Sequence, residues 1–319
     1  MSDIYCPESF PFPATDAEYT SSLEGLERAM REGKILKSSV LFCDSSMRLH
    51  IDLGCVRGII ERDEAVFCRG GETIKDIAVI SRVGKRVAFK VIGFKSERGE
   101  TVALLSRREA QKECNESYVS HLRAGDVIPA TVTHLESFGA FLDIGCGLSS
   151  LLTVDSISVS RISHPRDRFT VGEKIYVVVK SRDAESGRIY VSMRELLGTW
   201  EENAADFEVG QTVSGIIRSV ESYGIFVELS PNLAGLAELK DDMGDASSLI
   251  GKKSAVYIKS ILPDRMKIKL VLIDSCHSPD SMLAPAPIRY YCDTEQTKHI
   301  SYWRYSPPTS RKLIESIFE

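Results

Sequence analysis

Hydrophobic and polar positions alternate with a period of two over much of this chain. VIPATVTHL and KIYVVVKS show the pattern most clearly, and each is rich in β-branched residues, so both predict strands. FGAFLDI predicts a strand entered through Gly139, GLSSLLTV a short apolar strand, and GRIYVSM a closing one. A polar stretch, SISVSRISHPRDRFTVG, separates the third strand from the fourth and predicts a loop or short helix. Near the start the period changes. SSLEGLERAMRE places Leu23, Leu26 and Met30 at helical spacing, with Ser21 or Ser22 to cap the helix and Gly33 to end it.

The strand pattern is repeated. GDVIPATVTHLESFGAFLDIGCGLSSLLTV (from Gly125) and GQTVSGIIRSVESYGIFVELSPNLAGLAEL (from Gly210) align without a gap at an offset of 85 positions. Both share Glu-Ser-aromatic-Gly-x-Phe-hydrophobic-acid: Glu136, Ser137, Phe138, Gly139, Phe141, Asp143 against Glu221, Ser222, Tyr223, Gly224, Phe226, Glu228. A shorter loop then reduces the offset to 79, matching Lys180 to Lys259 and Arg188 to Lys267. Five short strands in about 75 residues predict a small closed barrel of the OB type. A third, degenerate copy lies upstream, where LHIDLG matches FLDIG and GKRVAFKVIGF and TVALLSRRE match the last two strands. In that copy Met47 stands in the place of Phe138, His50 in that of Phe141 and Val102 in that of Arg188, so the barrel is expected without the aromatic face.

The expected architecture is all-β: tandem five-stranded OB barrels joined by short helical linkers, with a small C-terminal extension. Residues 1–32 are an N-terminal arm and helix, the first twenty expected to be mobile and the helix to pack on the first module. The modules occupy 33–110, 121–195 and 207–274. SMRELLGTWEENAADF is a helical linker whose Leu196, Leu197 and Trp200 are expected to pack against one or both barrels. Residues 275–319 hold two aromatic runs, IRYYCD and HISYWRYSP, expected as a hairpin, and a final segment, SRKLIESIF, expected to be helical. The tail aromatics are expected mainly to cover a barrel, with a further RNA contact as the alternative.

Composition narrows the classes. No apolar run is long enough to span a membrane, and MSDIYCPESFPFP lacks the basic and apolar regions of a secretory signal. Eight scattered Cys without a CxxC fit reduced thiols in a cytosolic protein. The net charge of −5 hides a gradient. Residues 1–32 hold 2 Arg and 7 acids, whereas residues 33–110 hold 15 Lys/Arg and 10 acids. The other two modules are balanced, so their ligand contacts must rest on stacking and local charge. A binder with so few phosphate contacts has a log–log salt slope shallower than about six. No P-loop or nucleophile elbow is present, Cys276, His277, Cys292 and His299 lack zinc spacing, and no stretch outside the modules is long enough for a nuclease domain. No enzyme activity, cofactor or metal is expected.

The candidate chemistry is base stacking. Residues three apart on a regular strand point to opposite faces, so Phe138 and Phe141 share a face only if the chain bends at Gly139, which leaves Ala140, Leu142 and Ile144 inward. The bland alternative makes one ring of each pair a core residue. Arg188, Lys267, Lys180 and Lys259 are candidate phosphate or base contacts, or solvated charges.

The motif Gly-x-x-x-x-(Gly/Ala), aromatic-Gly-x-Phe-x-acid, Leu-x-x-Leu, Val-Gly-x-x-hydrophobic and Arg-Ile-x-x-Ser resembles the S-one RNA-binding domain. The chain is similar over roughly residues 30–275 to three-module S-one family proteins of Gram-positive bacteria, related to ribosomal protein S-one. VRGIIERDEA and LSRREAQKEC resemble the first module of that family. The resemblance implies an RNA face made of Phe138, Phe141 and Arg188 in one module and Tyr223, Phe226 and Lys267 in the next. Thr153 and Glu238 stand where the family has a His on the third strand, and Glu238 opposes phosphate. It further implies a monomeric, cytoplasmic partner of single-stranded RNA and mRNA at the 30S ribosomal subunit. In larger members the first module resembles a part that anchors the protein to the ribosome. Two alternatives stand beside this reading: a protein-docking barrel array on the ribosome, and an accessory RNA-binding factor in RNA decay or transcription.

Overall fold

β-Branched and aliphatic residues at alternate positions give each strand one apolar face, and a closed barrel buries all five such faces without leaving a sheet edge. A computed structural model describes residues 3–10, 16–68, 73–97, 99–183, 185–238, 246–274 and 287–318. It contains three closed five-stranded barrels. Barrel one is built from β1 (Leu36–Cys43), β2 (Leu49–Asp52), β3 (Arg57–Ile60), β4 (Arg86–Glu97) and β5 (Glu100–Ser106). Barrel two uses β6 (Val127–Glu136), β7 (Gly139–Asp143), β8 (Ser149–Thr153), β9 (Lys174–Arg182) and β10 (Ile189–Ser192). Barrel three uses β11 (Thr212–Glu221), β12 (Gly224–Ser230), β13 (Leu233–Ala237), β14 (Lys253–Leu262) and β15 (Lys267–Asp274). In each, the first three strands form an antiparallel meander, and the third closes on the fifth in parallel.

Helices fill the spaces around the barrels. After α1 (Asp16–Thr20), α2 (Leu23–Glu32) starts where the Ser22 side chain accepts the Gly25 amide and stops at Gly33, whose φ of 63° lies in the left-handed region. Its Leu26 and Ala29 are buried in the core of barrel one, whereas Leu23 is exposed. The short α3 (Asp76–Ile80) precedes β4, α4 (Arg107–Ser117) connects barrels one and two, and α5 (Val154–Ile157) follows β8. A capping box between Thr199 and Glu202 starts α6 (Trp200–Ala204). Leu197 enters the core of barrel two and Trp200 that of barrel three, so this linker serves both. No helix among the described residues is long and apolar enough to cross a membrane.

Two segments differ from the expectations. Residues 3–10 are docked, not a mobile arm. The Glu8 carboxylate accepts Arg107 Nε at 2.8 Å, Arg107 Nη2 at 3.1 Å and the Ala88 amide at 3.0 Å. The Glu8 amide donates to Asp143 of barrel two at 2.6 Å, and Lys37 Nζ donates to the Pro7 carbonyl at 2.8 Å. Charge pairing across two barrels is invisible in a local pattern. The tail forms a different hairpin: β16 (Tyr302–Arg304) pairs with β17 (Glu315–Ile317), so the final segment is not helical and IRYYCD is not a strand. Ile314, Ser316 and Phe318 are buried or half-buried at alternate positions, a period-two pattern hidden in a short, mixed sequence. Trp303 and Tyr305 pack into the core of barrel three, while Phe318 packs beside Val127 and Val178 of barrel two.

Arg107 is 3% exposed and neutralises the buried Glu8 carboxylate. Arg107→Met leaves that charge with only the more distant Arg82, at 3.9 Å, to face it. Urea unfolding is expected to show a loss of about 3–5 kcal/mol, with residues 3–10 becoming sensitive to protease.

Burial, and then the negative charge of Glu8, push the Asp143 carboxyl up to about 6. The unfolded chain releases this proton near pH 3.9, so the folded form holds it more tightly between about 4 and 6. This group therefore adds stability as pH falls from above 6 toward 4. Asp143→Asn is expected to flatten the rise in urea midpoint between pH 7 and pH 5; an unchanged rise assigns the effect to other groups.

Candidate nucleic-acid interface

The aromatic pair of barrel two is positioned by a tight hairpin. Ser137 and Phe138 form the turn between β6 and β7, with Glu136 opposite Gly139. Ala140, Leu142 and Ile144 point into the core as expected. Phe138 lies in the turn rather than on the strand, so its ring reaches the face of Phe141 without any bend at Gly139. Phe138 is 53% exposed, and the two rings meet edge-to-face at 6.0 Å and 89°. Barrel three repeats the arrangement: Tyr223 is 66% exposed and meets Phe226 at 6.1 Å and 90°. Neither ring of either pair is a buried core residue.

Gly139 serves close approach. A Cβ there falls 2.5 Å from the Leu152 carbonyl oxygen and 3.0 Å from Thr153 Cα, both backbone atoms of β8. Gly224, at φ 152°, has the same relation to the Ala237 carbonyl, at 2.7 Å. The turn carrying the exposed ring is thereby held against the third strand.

Strand register adds residues that the sequence reading missed. His134, Phe141, Leu151 and Tyr190 form one row across β6, β7, β8 and β10. The His134 ring lies 6.3 Å from that of Phe141 at 30°, and its Nε2 is 2.6 Å from Glu136 Oε1. The signals were available: a two-residue turn puts residue 134 opposite 141, and Tyr190 shares the face of Arg188 at i+2. In barrel three the row reads Ser219, Phe226, Leu236, Lys269, with one ring fewer on each side and one cation more.

The expected polar residues divide into two groups. Lys180 is the bulged residue of β9; its Nζ donates to Ser156 Oγ at 3.3 Å, and Thr153 Oγ1 donates to the same atom at 2.9 Å. The Val154 amide bonds to the Phe138 carbonyl at 3.0 Å, so Thr153, Lys180 and Phe138 come together at one end of the face. Arg188 is exposed just before β10, which runs parallel to β8, and so lies at the other end. In barrel three Lys259 (again the bulged residue), Lys267 and Glu238 are all exposed. His299, one of the four residues considered for zinc, pairs instead with Asp126 at 2.9 Å. Cys276 and His277 lie outside the described residues, among which no cluster of His, Cys, Asp and Glu could hold a metal.

The S1 RNA binding domain family matches residues 121–194, the whole of barrel two. By this match barrel two is an S1 RNA binding domain. Small ribosomal subunit protein bS1 of Leuconostoc lactis is 33% identical over 49% of this chain and 34% of its own length. The protein of the same name from Staphylococcus aureus strain COL is 30% identical over 70% of this chain and 59% of its own. A bS1 homolog of Bacillus cereus is 32% identical over 49% and 41%. The chain thus spans about a third to three-fifths of these relatives.

Among the three S1-type barrels, the first departs most, yet not as expected. Its row is Phe42, His50, Ile59 and Leu104. An aromatic survives: Phe42 is 48% exposed and stacks in parallel on His50 at 4.3 Å and 10°. It occupies the place of His134, one strand away from where the sequence comparison looked. His50 is buried and held 2.9 Å from Asp44. Although partial burial opposes it, hydrogen bonds from His50, Arg48 and the Ser46 amide keep the Asp44 carboxyl well below the usual range. The bulged position of β4 is Ile92, exposed where the other barrels have lysine.

Gly139→Ala forces β7 away from β8, because the clashing atoms are backbone. The expected cost is about 1–3 kcal/mol in denaturant unfolding, with faster amide exchange in β7 and β8. Ala substitution at Gly172, where a Cβ meets nothing within 4 Å, is a control for left-handed strain alone, its φ being +92°.

Proposed function

We propose that this chain is a non-enzymatic, monomeric binder of single-stranded RNA, acting on mRNA in translation at the small ribosomal subunit. The observation that carries the reading is the repeated ring pair, exposed and edge-to-face in two successive barrels at nearly the same distance and angle. An exposed ring held at a fixed angle offers a base a flat apolar surface, and such stacking tolerates any base. Duplex is disfavoured because its bases must unstack to reach the rings. Two weak faces on one chain gain affinity because the second engages at a high effective concentration. Barrel two adds the imidazole of His134 and the phenol of Tyr190; barrel three puts Lys269 at the second place, so it leans more on charge. The bS1 relatives are named as small ribosomal subunit proteins, which supports the setting.

A specific observation favours protein docking as a further task of barrel one. Its face exposes Leu41, Phe42 and Ile92 where barrel two has Thr133, His134 and Lys180. An apolar face of this kind suits a protein surface better than a phosphate backbone.

Each Ala substitution at Phe138, Phe141, Tyr223 or Phe226 is expected to weaken an unstructured RNA by roughly 1–3 kcal/mol, about 5- to 150-fold in Kd, by fluorescence anisotropy. The quadruple variant should bind little while unfolding at an ordinary midpoint. Equal binding by wild type and quadruple variant removes the stacking faces from the account. Phe42→Ser/Ile92→Ser is expected to lose copurification with 30S particles and to keep RNA binding. Copurification with a nuclease or RNA polymerase in place of 30S particles moves the setting to RNA decay or transcription.

A further inference from the structure

A cleft of about 350 Å³ lies between barrels one and two. Arg82 and Lys85, which lead into β4, and Arg86, its first residue, line one side; Thr133 of β6 and Asp143 of β7 line the other, with Glu8. The two acids are already engaged. Glu8 takes Arg107 and the Ala88 amide, while Asp143 accepts the amides of Glu8, Gly145 and Gly147. The three cations are not matched in the same way. Lys85 and Arg86 are exposed and have no ion-pair partner among the described residues. Arg82 stands 3.9 Å from Glu8, donates Nη2 to Ser81 at 3.1 Å, and keeps a buried Nε without a hydrogen-bond partner. A buried donor of this kind costs free energy until an acceptor meets it.

The cleft also continues the stacking face. The Thr133 hydroxyl donates to the Phe141 carbonyl at 3.0 Å, and Asp143 is two residues beyond Phe141 on the same side of β7, roughly 7 Å away. We infer that this cleft holds phosphates of single-stranded RNA next to the rings of barrel two, through Arg82, Lys85 and Arg86 of barrel one. Barrel one thus supplies charge to a face that belongs to its neighbour. This accounts for the basic balance of the module that lacks the paired rings. Burial, and then the adjacent Arg82, lower the proton affinity of Lys85, the condition that a bound anion relieves. The inference rests on the RNA-binding reading above and extends it to a second element.

The test uses the full chain and a labelled unstructured RNA, with anisotropy titrations over a series of salt concentrations. Lys85→Ala/Arg86→Ala removes two exposed side chains and leaves the barrel core intact. Its log–log salt slope is expected to be shallower than that of wild type by about 1.4, from about 0.7 per phosphate for single strands. Lys85→Arg should keep the wild-type slope. Phe141→Ala should weaken binding while keeping the slope. If wild type binds and the cleft variant has the same slope, the cleft assignment falls and the stacking faces stand. If wild type does not bind, both fall. Sodium pyrophosphate is the second probe. A rise in Tm for wild type alone, together with equal RNA slopes, assigns the cleft to a free anion and overturns RNA as its occupant.

Discussion

The array depends on carboxylates buried where one barrel meets the next. The repeated acid of the motif lies on the second strand of each barrel, at its last residue in barrels one and two and two residues before its end in barrel three. In barrel two it is Asp143, which accepts the Glu8 amide beneath the Arg107–Glu8 ion pair. In barrel three it is Glu228, which accepts Arg168 from the loop of barrel two at 2.6 Å and Arg218 from its own first strand at 2.8 Å. In barrel one the matching Asp52 is exposed and accepts the Gly54 amide at 2.8 Å. Buried ion pairs of this kind add little net stability against an apolar alternative, but a mismatched partner is costly. Their effect is to select one docking geometry.

Other contacts reinforce that geometry. Asn232, fully buried at the start of β13, donates to the carbonyls of Arg194 and Gly198 and accepts the amide of Val159, which joins barrel three to the linker and to the loop of barrel two. Tyr305 of the tail donates to the Asn232 carbonyl at 2.5 Å, and Tyr290 accepts the Tyr176 amide of barrel two at 2.8 Å. The tail aromatics are therefore partly spent in fastening barrels two and three. These contacts fix barrels two and three against each other, and with them the separation of the two ring pairs.

The three copies share a backbone and differ in what they place on it. Barrel two carries rings at His134, Phe138, Phe141 and Tyr190; barrel three keeps the Tyr223–Phe226 pair and adds lysines; barrel one presents an apolar face and a cationic edge. The barrel itself requires only alternation and a few small residues, so outward positions are free to diverge once the inward set is satisfied. Divergence of this sort lets one fold present paired rings, a cationic edge and an apolar face within a single chain.

By itself the sequence determined what is local or repeated. Period-two alternation specified the strands, Ser22 and Gly33 the ends of α2, and the 85-residue repeat the presence of equivalent ring pairs. Hairpin register made even His134 readable, since a two-residue turn dictates which residue lies opposite Phe141. The tertiary structure alone decided what depends on distant charges and on packing. The docking of residues 3–10 follows from Arg107 and Asp143, about a hundred positions away or more, and no local pattern encodes which buried charge finds which partner. The cationic cleft between barrels one and two arises the same way. Strand alternation tells inside from outside, but neighbours across strands and between barrels are set by register and by the joints.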